Sequence, residues 1–181
     1  MATRRALIDA AVELATEGGY DAVGMRQVAA RASVSAATAY QYFTSKDHVL
    51  VDALVELVGR TTDSIEARPP KESSSVADRA ASVLRRAVRE VERAPSLYIA
   101  LTRAYISGSP DVAHARGALE ASTRRWIEAA LEGSNVRNQD DVVAVLEAVL
   151  FAAMVGLVTG GTAPEDVSGG LDRAVRTVLR K

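Results

Sequence analysis

The stretch Met25 to Lys46 reads MRQVAARASVSAATAYQYFTSK, and its reading decides the fold of everything around it. Two short amphipathic runs, 25–31 and 36–43, flank a tight turn at Ala32 to Ser35. A pair of helices joined this closely needs a small residue where they cross, a tight turn, and apolar positions that face a third helix. Ala29 is the small residue, and Val28, Ala32, Val34, Ala39 and Tyr42 form the inward apolar set. Ser33 occupies the turn, where glycine would adopt a left-handed backbone at less cost. Ser35 is placed to cap the second helix through its side-chain oxygen. That leaves Ala36, Ala37, Thr38, Tyr40 and Gln41 facing outward. Small side chains there permit close approach to the groove of a duplex, and Gln41 can pair with an adenine edge.

Each polar residue of this segment has two readings. Tyr42 either hydrogen-bonds a phosphate or packs the three-helix core, and Thr38 either donates to a phosphate or bonds within its own turn. Lys46 opens a helix, where exposed N–H groups already favour an anion, or is an ordinary solvated lysine. Arg4 and Arg26 are candidate backbone contacts; Arg31 either joins them or only stabilises the end of its helix. Phe43 is core. No acid occurs from Ala22 to Ser45, so Arg26, Arg31 and Lys46 make the presented face locally basic. Across residues 1–50, however, Arg4, Arg5, Arg26, Arg31 and Lys46 are matched one for one by Asp9, Glu13, Glu17, Asp21 and Asp47. With a net charge of −1 over 181 residues, binding to nucleic acid has to come from a local patch and be reinforced by pairing of subunits.

Outward from this segment the chain is helical almost throughout. Apolar residues recur at helical spacing, and no window alternates over a strand's length. Breakers at Gly18-Gly19, Ala32 to Ser35, Thr44-Ser45, Arg68 to Pro70 with Ser73 to Ser75, Ala94-Pro95, Ser107 to Pro110, Gly133 to Asn138 and Gly160 to Pro164 divide it into about nine helices. These are expected near 4–17, 25–31, 36–43, 46–67, 75–93, 96–107, 111–132, 140–159 and 165–180. The fold class is all-α, with a three-helix head over residues 1–47 and a helical domain over 48–181. The head is too small to bury much core alone and is expected to dock on the start of the fourth helix. The apolar run Val142 to Val158 is short for a membrane span and reads as a helix buried on most sides. No membrane is expected as a partner, and the absence of cysteine fits a reducing cytoplasm.

Val34-Ser35, Thr38, Tyr40, Tyr42-Phe43 and Ser45-Lys46 stand at the spacings of the TetR signature, in which a short recognition helix ends in Tyr-x-Tyr-Phe and Ser-Lys opens the next helix. Gly19 to Val23, Met25-Arg26, Val28-Ala29 and Arg31-Ala32 resemble the same family. The resemblance covers roughly residues 4–56. It implies a nine-helix transcriptional repressor, a homodimer built from the last two long helices, and a ligand cavity in the C-terminal domain. Four departures stand out: Ala39 in place of a larger aliphatic, Gly24 where a threonine or serine commonly caps the second helix, Gln41 in place of a basic residue, and a basic arm reduced to Arg4 and Arg5.

The C-terminal half carries no catalytic signature. There is no Gly-x-Ser-x-Gly elbow and no phosphate-binding glycine loop. The two histidines, His48 and His114, lie far apart in sequence, which excludes a metal site with several histidines. Enzymatic activity, a cofactor and a metal are therefore not expected. Asp140-Asp141 reads as the start of a helix. Val149, Ala152, Ala153 and Gly156, with Leu171, Val175 and Val178, offer a two-fold seam between subunits or fill a monomer core. Gly169-Gly170 costs the last helix about 2 kcal/mol relative to alanine and suggests a late start or a bend. Leu97, Tyr98, Leu101, Tyr105, Trp126 and Phe151 either line an apolar cavity or are ordinary core. Gly18 to Leu54, Leu101 to Tyr105, Asp166 to Ser168 and Leu171 to Arg176 resemble the actinobacterial KstR group, repressors of sterol and lipid catabolism that respond to steroid acyl-CoA thioesters. That resemblance implies double-stranded operator DNA and an apolar effector, an acyl-CoA, as partners, with the CoA phosphates near Arg103 or Arg124. The competing reading is a helical small-molecule carrier without DNA binding, which leaves the acid-free stretch unexplained.

Overall fold

The computed structural model describes residues 2–71 and 75–180. The expected serines at 73 and 74 lie outside the described residues. Among the described residues nine α-helices follow in order: α1 (Ala2–Ala22), α2 (Met25–Arg31), α3 (Ala36–Tyr42), α4 (Lys46–Ala67), α5 (Val76–Arg93), α6 (Pro95–Ile106), α7 (Ala113–Leu131), α8 (Gln139–Thr159) and α9 (Val167–Val178). Short 3-10 turns at Pro110–Val112 and Pro164–Asp166 precede α7 and α9. The backbone leaves helical geometry inside α1 at Gly18 and at Gly19, whose φ of 67° ends the regular helix at the expected breaker.

Packing groups the chain into two compact units, Met1–Leu57 with Ala94–Gly117, and Val58–Arg93 with Ala118–Lys181. The first does not end at residue 47. Its head meets the start of α4 through Tyr20 with Asp47 and Arg4 with Asp52, where Val49, Leu50, Val51 and Ala53 are fully buried, and α6 packs along α1. Leu97, Tyr98 and Leu101, candidate cavity residues, are buried on that helix. They supply the apolar cover that three short helices lack.

The second unit is built on α5 against α9. Its core joins Ile65, Leu84, Trp126, Ile127, Leu131, Leu146 and Val175. Trp126 donates its indole N–H to Thr62 Oγ1 at 2.9 Å, and Thr62 in turn donates to the Val58 carbonyl. Arg79 reaches the carbonyls of Ala130 and Glu132 and so closes the C-terminal end of α7. Helix α9 starts at Val167, two residues later than expected, and runs through both glycines at 169 and 170 without interruption. Val167, Leu171 and Val175 repeat every four residues and are all buried, and that burial outweighs the glycine cost.

Helix α8 departs from expectation. It spans 21 residues, long and apolar enough by length and composition to cross a membrane, and it is not buried on most sides. Within its unit only Val143, Leu146 and Leu157 are buried. Val145, Ala148, Phe151 and Ala152 form an exposed apolar stripe at helical spacing. Asp140 and Asp141 occupy the first turn, as read from the sequence.

Candidate nucleic-acid interface

The α2–α3 corner is closed by its own backbone. Val34 N–H donates to the Ala29 carbonyl at 2.9 Å and Ser33 N–H to that of Ala30 at 3.1 Å. Ser33 sits in the left-handed region, with φ of 56°, the conformation that glycine would adopt without a Cβ clash. Ser35 Oγ then accepts the Thr38 N–H at 3.0 Å and lies 2.8 Å from Thr38 Oγ1, so the cap and the Thr38 hydroxyl are one arrangement. Gly24 precedes α2 with an extended backbone and no side-chain cap. Val28, Ala29, Ala39 and Phe43 are buried, which seats α3 on its neighbours.

The opposite face of α3 is open. Ala37, Gln41, Tyr40 (53% exposed) and Tyr42 (41% exposed) point outward, with Ala36 and Thr38 half-buried at the start of the helix. Tyr42 is not part of the inward set, because Ala39 and Phe43 already fill those positions; Ala32 and Val34 are half-buried.

The basic character of this surface is thinner than the sequence suggests. Arg31 pairs with Glu13 and Glu17 of α1, each at 3.0 Å, and its hydrogen bond holds the Glu17 carboxyl below its ordinary value. Arg4 is drawn to Asp52 at 2.5 Å and Glu56 at 3.3 Å, with its guanidinium over the Phe43 ring, so a phosphate contact would require it to leave these partners. Lys46 lies 3.7 Å from the Tyr20 ring centroid and donates to the Tyr20 carbonyl at 3.4 Å. Tyr20 donates its hydroxyl to Asp47 at 2.6 Å; burial first, and this bond second, push its pKa up to about 12. Arg26 is exposed and, among the described residues, in no ion pair.

Behind the corner, the structure overturns the argument from the separation of the histidines. The rings of His48 and His114 lie 5.2 Å apart between centroids, on either side of Asp52. Asp111, one turn before His114, is held below its ordinary carboxylate value by hydrogen bonds from Thr44 and Ser45.

The model for bacterial regulatory proteins of the tetR family matches residues 7–53, and that for the tetracyclin repressor-like C-terminal domain matches residues 74–178. The chain belongs to the TetR family. It is 32% identical to the transcriptional repressor KstR of Mycolicibacterium smegmatis, over 97% of this chain and 86% of that one. A TetR transcriptional regulator from Rhodococcus sp. RHA1 superposes with a TM-score of 0.81 at 26% identity, covering 99% of this chain and 97% of that chain. The TetR family repressor FadR of Thermus thermophilus, solved in complex with lauroyl-CoA, superposes at 0.77 with 19% identity over 97% and 93% of the two chains. The α2–α3 corner falls within the N-terminal TetR match, and the chain is a DNA-binding transcriptional regulator.

The other expected TetR sites are placed unevenly. Of the candidate effector residues, Leu97, Tyr98, Leu101 and Tyr105 belong to the first unit, and Trp126 and Phe151 to the second. Trp126 is core there, while Phe151 is 49% exposed on α8. Of the candidate dimer residues, Leu171 and Val175 are buried within the subunit and removed from any seam. Gly156 is enclosed by its own chain: an added Cβ would lie 2.4 Å from Thr162 Oγ1, and the Gly161 and Thr162 N–H groups donate to its carbonyl. Ala152 is exposed, and Val149, Ala153 and Val178 are half-buried. The two arginines expected at a basic mouth are both engaged within the chain. Arg103 lies over the Tyr20 ring and against Asp21, and Arg124 pairs with Glu128 and Glu147. A polar groove of about 390 Å3 along α4 and α5 instead brings together Arg68, Arg86, Arg89 and Arg93 with Ser64 and Ser82. Sequence reasoning missed it, although arginines at 86, 89 and 93 are spaced to share one helix face.

Proposed function

We propose that this chain is a repressor that binds operator DNA as a homodimer and is released by an apolar acyl-CoA effector. The observation that carries the reading is the face of α3: a helix capped by Ser35, shallow at Ala36 and Ala37, and bearing Tyr40, Gln41 and Tyr42 outward. In this reading Gln41 and Tyr40 address base edges. Tyr42, Thr38, Arg26 and Lys46 hold the phosphates, with Lys46 leaving the Tyr20 ring to do so. The exposed stripe Val145, Ala148, Phe151 and Ala152 on α8, with Val149 and Ala153 beside it, meets its two-fold copy. The pairing sets two α3 helices about 34–36 Å apart, in successive major grooves of DNA in the cytoplasm.

The effector class is supported by two things: the KstR and FadR likenesses, the latter solved with lauroyl-CoA, and an arginine-lined groove that contains a single acid, Glu90. The groove suits the phosphates of CoA. Effector binding shifts the population away from the DNA-competent arrangement by a coupling of about 1–3 kcal/mol.

Retardation of a palindrome from the chain's own promoter region, titrated over a range of salt concentrations, tests this. Replacing Tyr42 and Lys46 together (Tyr42→Phe, Lys46→Ala) is expected to weaken binding at all sequences alike and to lower the salt dependence by about one unit per lost charged contact. Gln41→Ala should instead relax preference at one base pair, by about 1–3 kcal/mol. An unchanged affinity in the double variant removes both residues from the interface.

A further inference from the structure

His48 and Asp52 stand one turn apart on α4, and His114 in the first turn of α7 comes to meet them within the same compact unit. One ligating atom from each of the three lies within 4.8 Å of the others. His114 Nε2 is 2.8 Å from Asp52 Oδ1, and His48 Nε2 is 3.9 Å from Asp52 Oδ2. The rings are held from behind in different ways: His114 Nδ1 lies 2.9 Å from the Asp111 carbonyl, whereas His48 Nδ1 accepts the Thr44 N–H at 3.3 Å and lies 3.1 Å from Thr44 Oγ1. A backbone carbonyl only accepts, so His114 Nδ1 donates to that of Asp111, the rear contact by which ligating histidines fix ring and tautomer. Its Nε2 faces Asp52, a carboxylate that also only accepts, so the position between them at 2.8 Å takes a positive species, a proton or a metal ion.

We propose that His48, Asp52 and His114 form a binding site for a borderline divalent transition-metal ion, with Zn2+ as its representative. Two imidazole nitrogens and one carboxylate oxygen are the donor set such ions take when a further position is left to water. Ligands about 2.0–2.1 Å from a tetrahedral ion stand about 3.4 Å apart, and the three ligating atoms, within 4.8 Å of one another, need only small side-chain shifts to reach that spacing. Asp52 is nearly buried, and Arg4 engages its Oδ2 at 2.5 Å, which leaves Oδ1 for the ion. The side chain of His114 is half-exposed, so the site has an entrance and room for water. Glu56, beside Arg4, and Asp111, beside Thr44 and Ser45, add negative charge to balance the guanidinium. An ion here ties α4, immediately after α3, to the turn that opens α7.

The chain has two histidines and no cysteine, so stoichiometric zinc binding can hardly arise elsewhere. The test uses the full chain without a polyhistidine tag, stripped of metal and titrated with Zn2+ by equilibrium dialysis and calorimetry, with no DNA present. One Zn2+ per chain is expected, with a rise in melting temperature on saturation. His48→Gln and His114→Gln should each weaken binding at least tenfold; both side chains are partly exposed, so folding should survive, and circular dichroism checks it. Substitution with Co2+ should give the visible absorption of a low-coordinate site in the wild type alone. The proposal is overturned by failure to bind zinc, by binding that persists in the double variant, or by a melting temperature that responds to pH but not to zinc. The last result would make the cluster a proton-held latch. None of these outcomes bears on DNA binding, so this proposal and the regulator reading fail separately.

Discussion

Ser33 lies in a backbone region that costs a residue with a Cβ about 1–2 kcal/mol, and it does so because the backbone bonds of Ser33 and Val34 fix the turn. Ser33→Gly relieves that cost but restores about 0.5–1 kcal/mol of freedom to the unfolded chain. The net expectation is a gain of about 0.5–1 kcal/mol in urea unfolding with unchanged DNA affinity. Tyr20 gives a second prediction. Its neutral phenol is favoured in the folded state, so its contribution is complete below the unfolded value of 10 and is lost as pH rises from about 10 to about 12. Stability measured against pH should therefore fall more steeply in the wild type than in Tyr20→Phe over that window and run parallel below it. These residues also mark what was legible. The strain at Ser33 and the cap at Ser35 follow from local spacing and were readable. The capture of Arg31 by Glu13 and Glu17, of Arg4 by Asp52, and the meeting of His48 with His114 are contacts across helices, which local spacing does not encode.

At the scale of elements, helix positions followed closely from glycine, proline and serine breakers, because those residues act on their own backbone. Which face of each helix is covered did not. The stripe Val167, Leu171, Val175 has the periodicity of a seam between subunits or of a core, and only packing against α5 decides for the core. Likewise Gly156 reads as a flat patch for another helix, yet its missing Cβ admits the chain's own Thr162. The exposed stripe therefore falls on α8 alone, at Val145, Ala148, Phe151 and Ala152. A charge placed there should disrupt pairing without disturbing the subunit: Phe151→Asp is expected to sediment as a monomer at concentrations where the wild type is a dimer, with its helical content intact. A dimeric Phe151→Asp would move the seam elsewhere.

For the molecule as a whole, a net charge of −1 and the internal pairing of Arg4 and Arg31 leave little long-range attraction for DNA. On the proposed reading, affinity comes from close fit of two linked α3 helices rather than from a basic field, and it should depend on dimer concentration and only moderately on salt. The shallow face at Ala36 and Ala37 is the feature on which that fit depends. The most direct measurement is fluorescence anisotropy of a labelled promoter palindrome with the wild type and with Ala37→Glu. This substitution adds bulk and negative charge at an exposed position in the first turn of α3, where an acid is well tolerated by the helix itself. Affinity should fall at least a hundredfold while the melting temperature and oligomeric state stay the same; a folded, dimeric Ala37→Glu that binds as tightly as the wild type would contradict the placement of α3 in the groove.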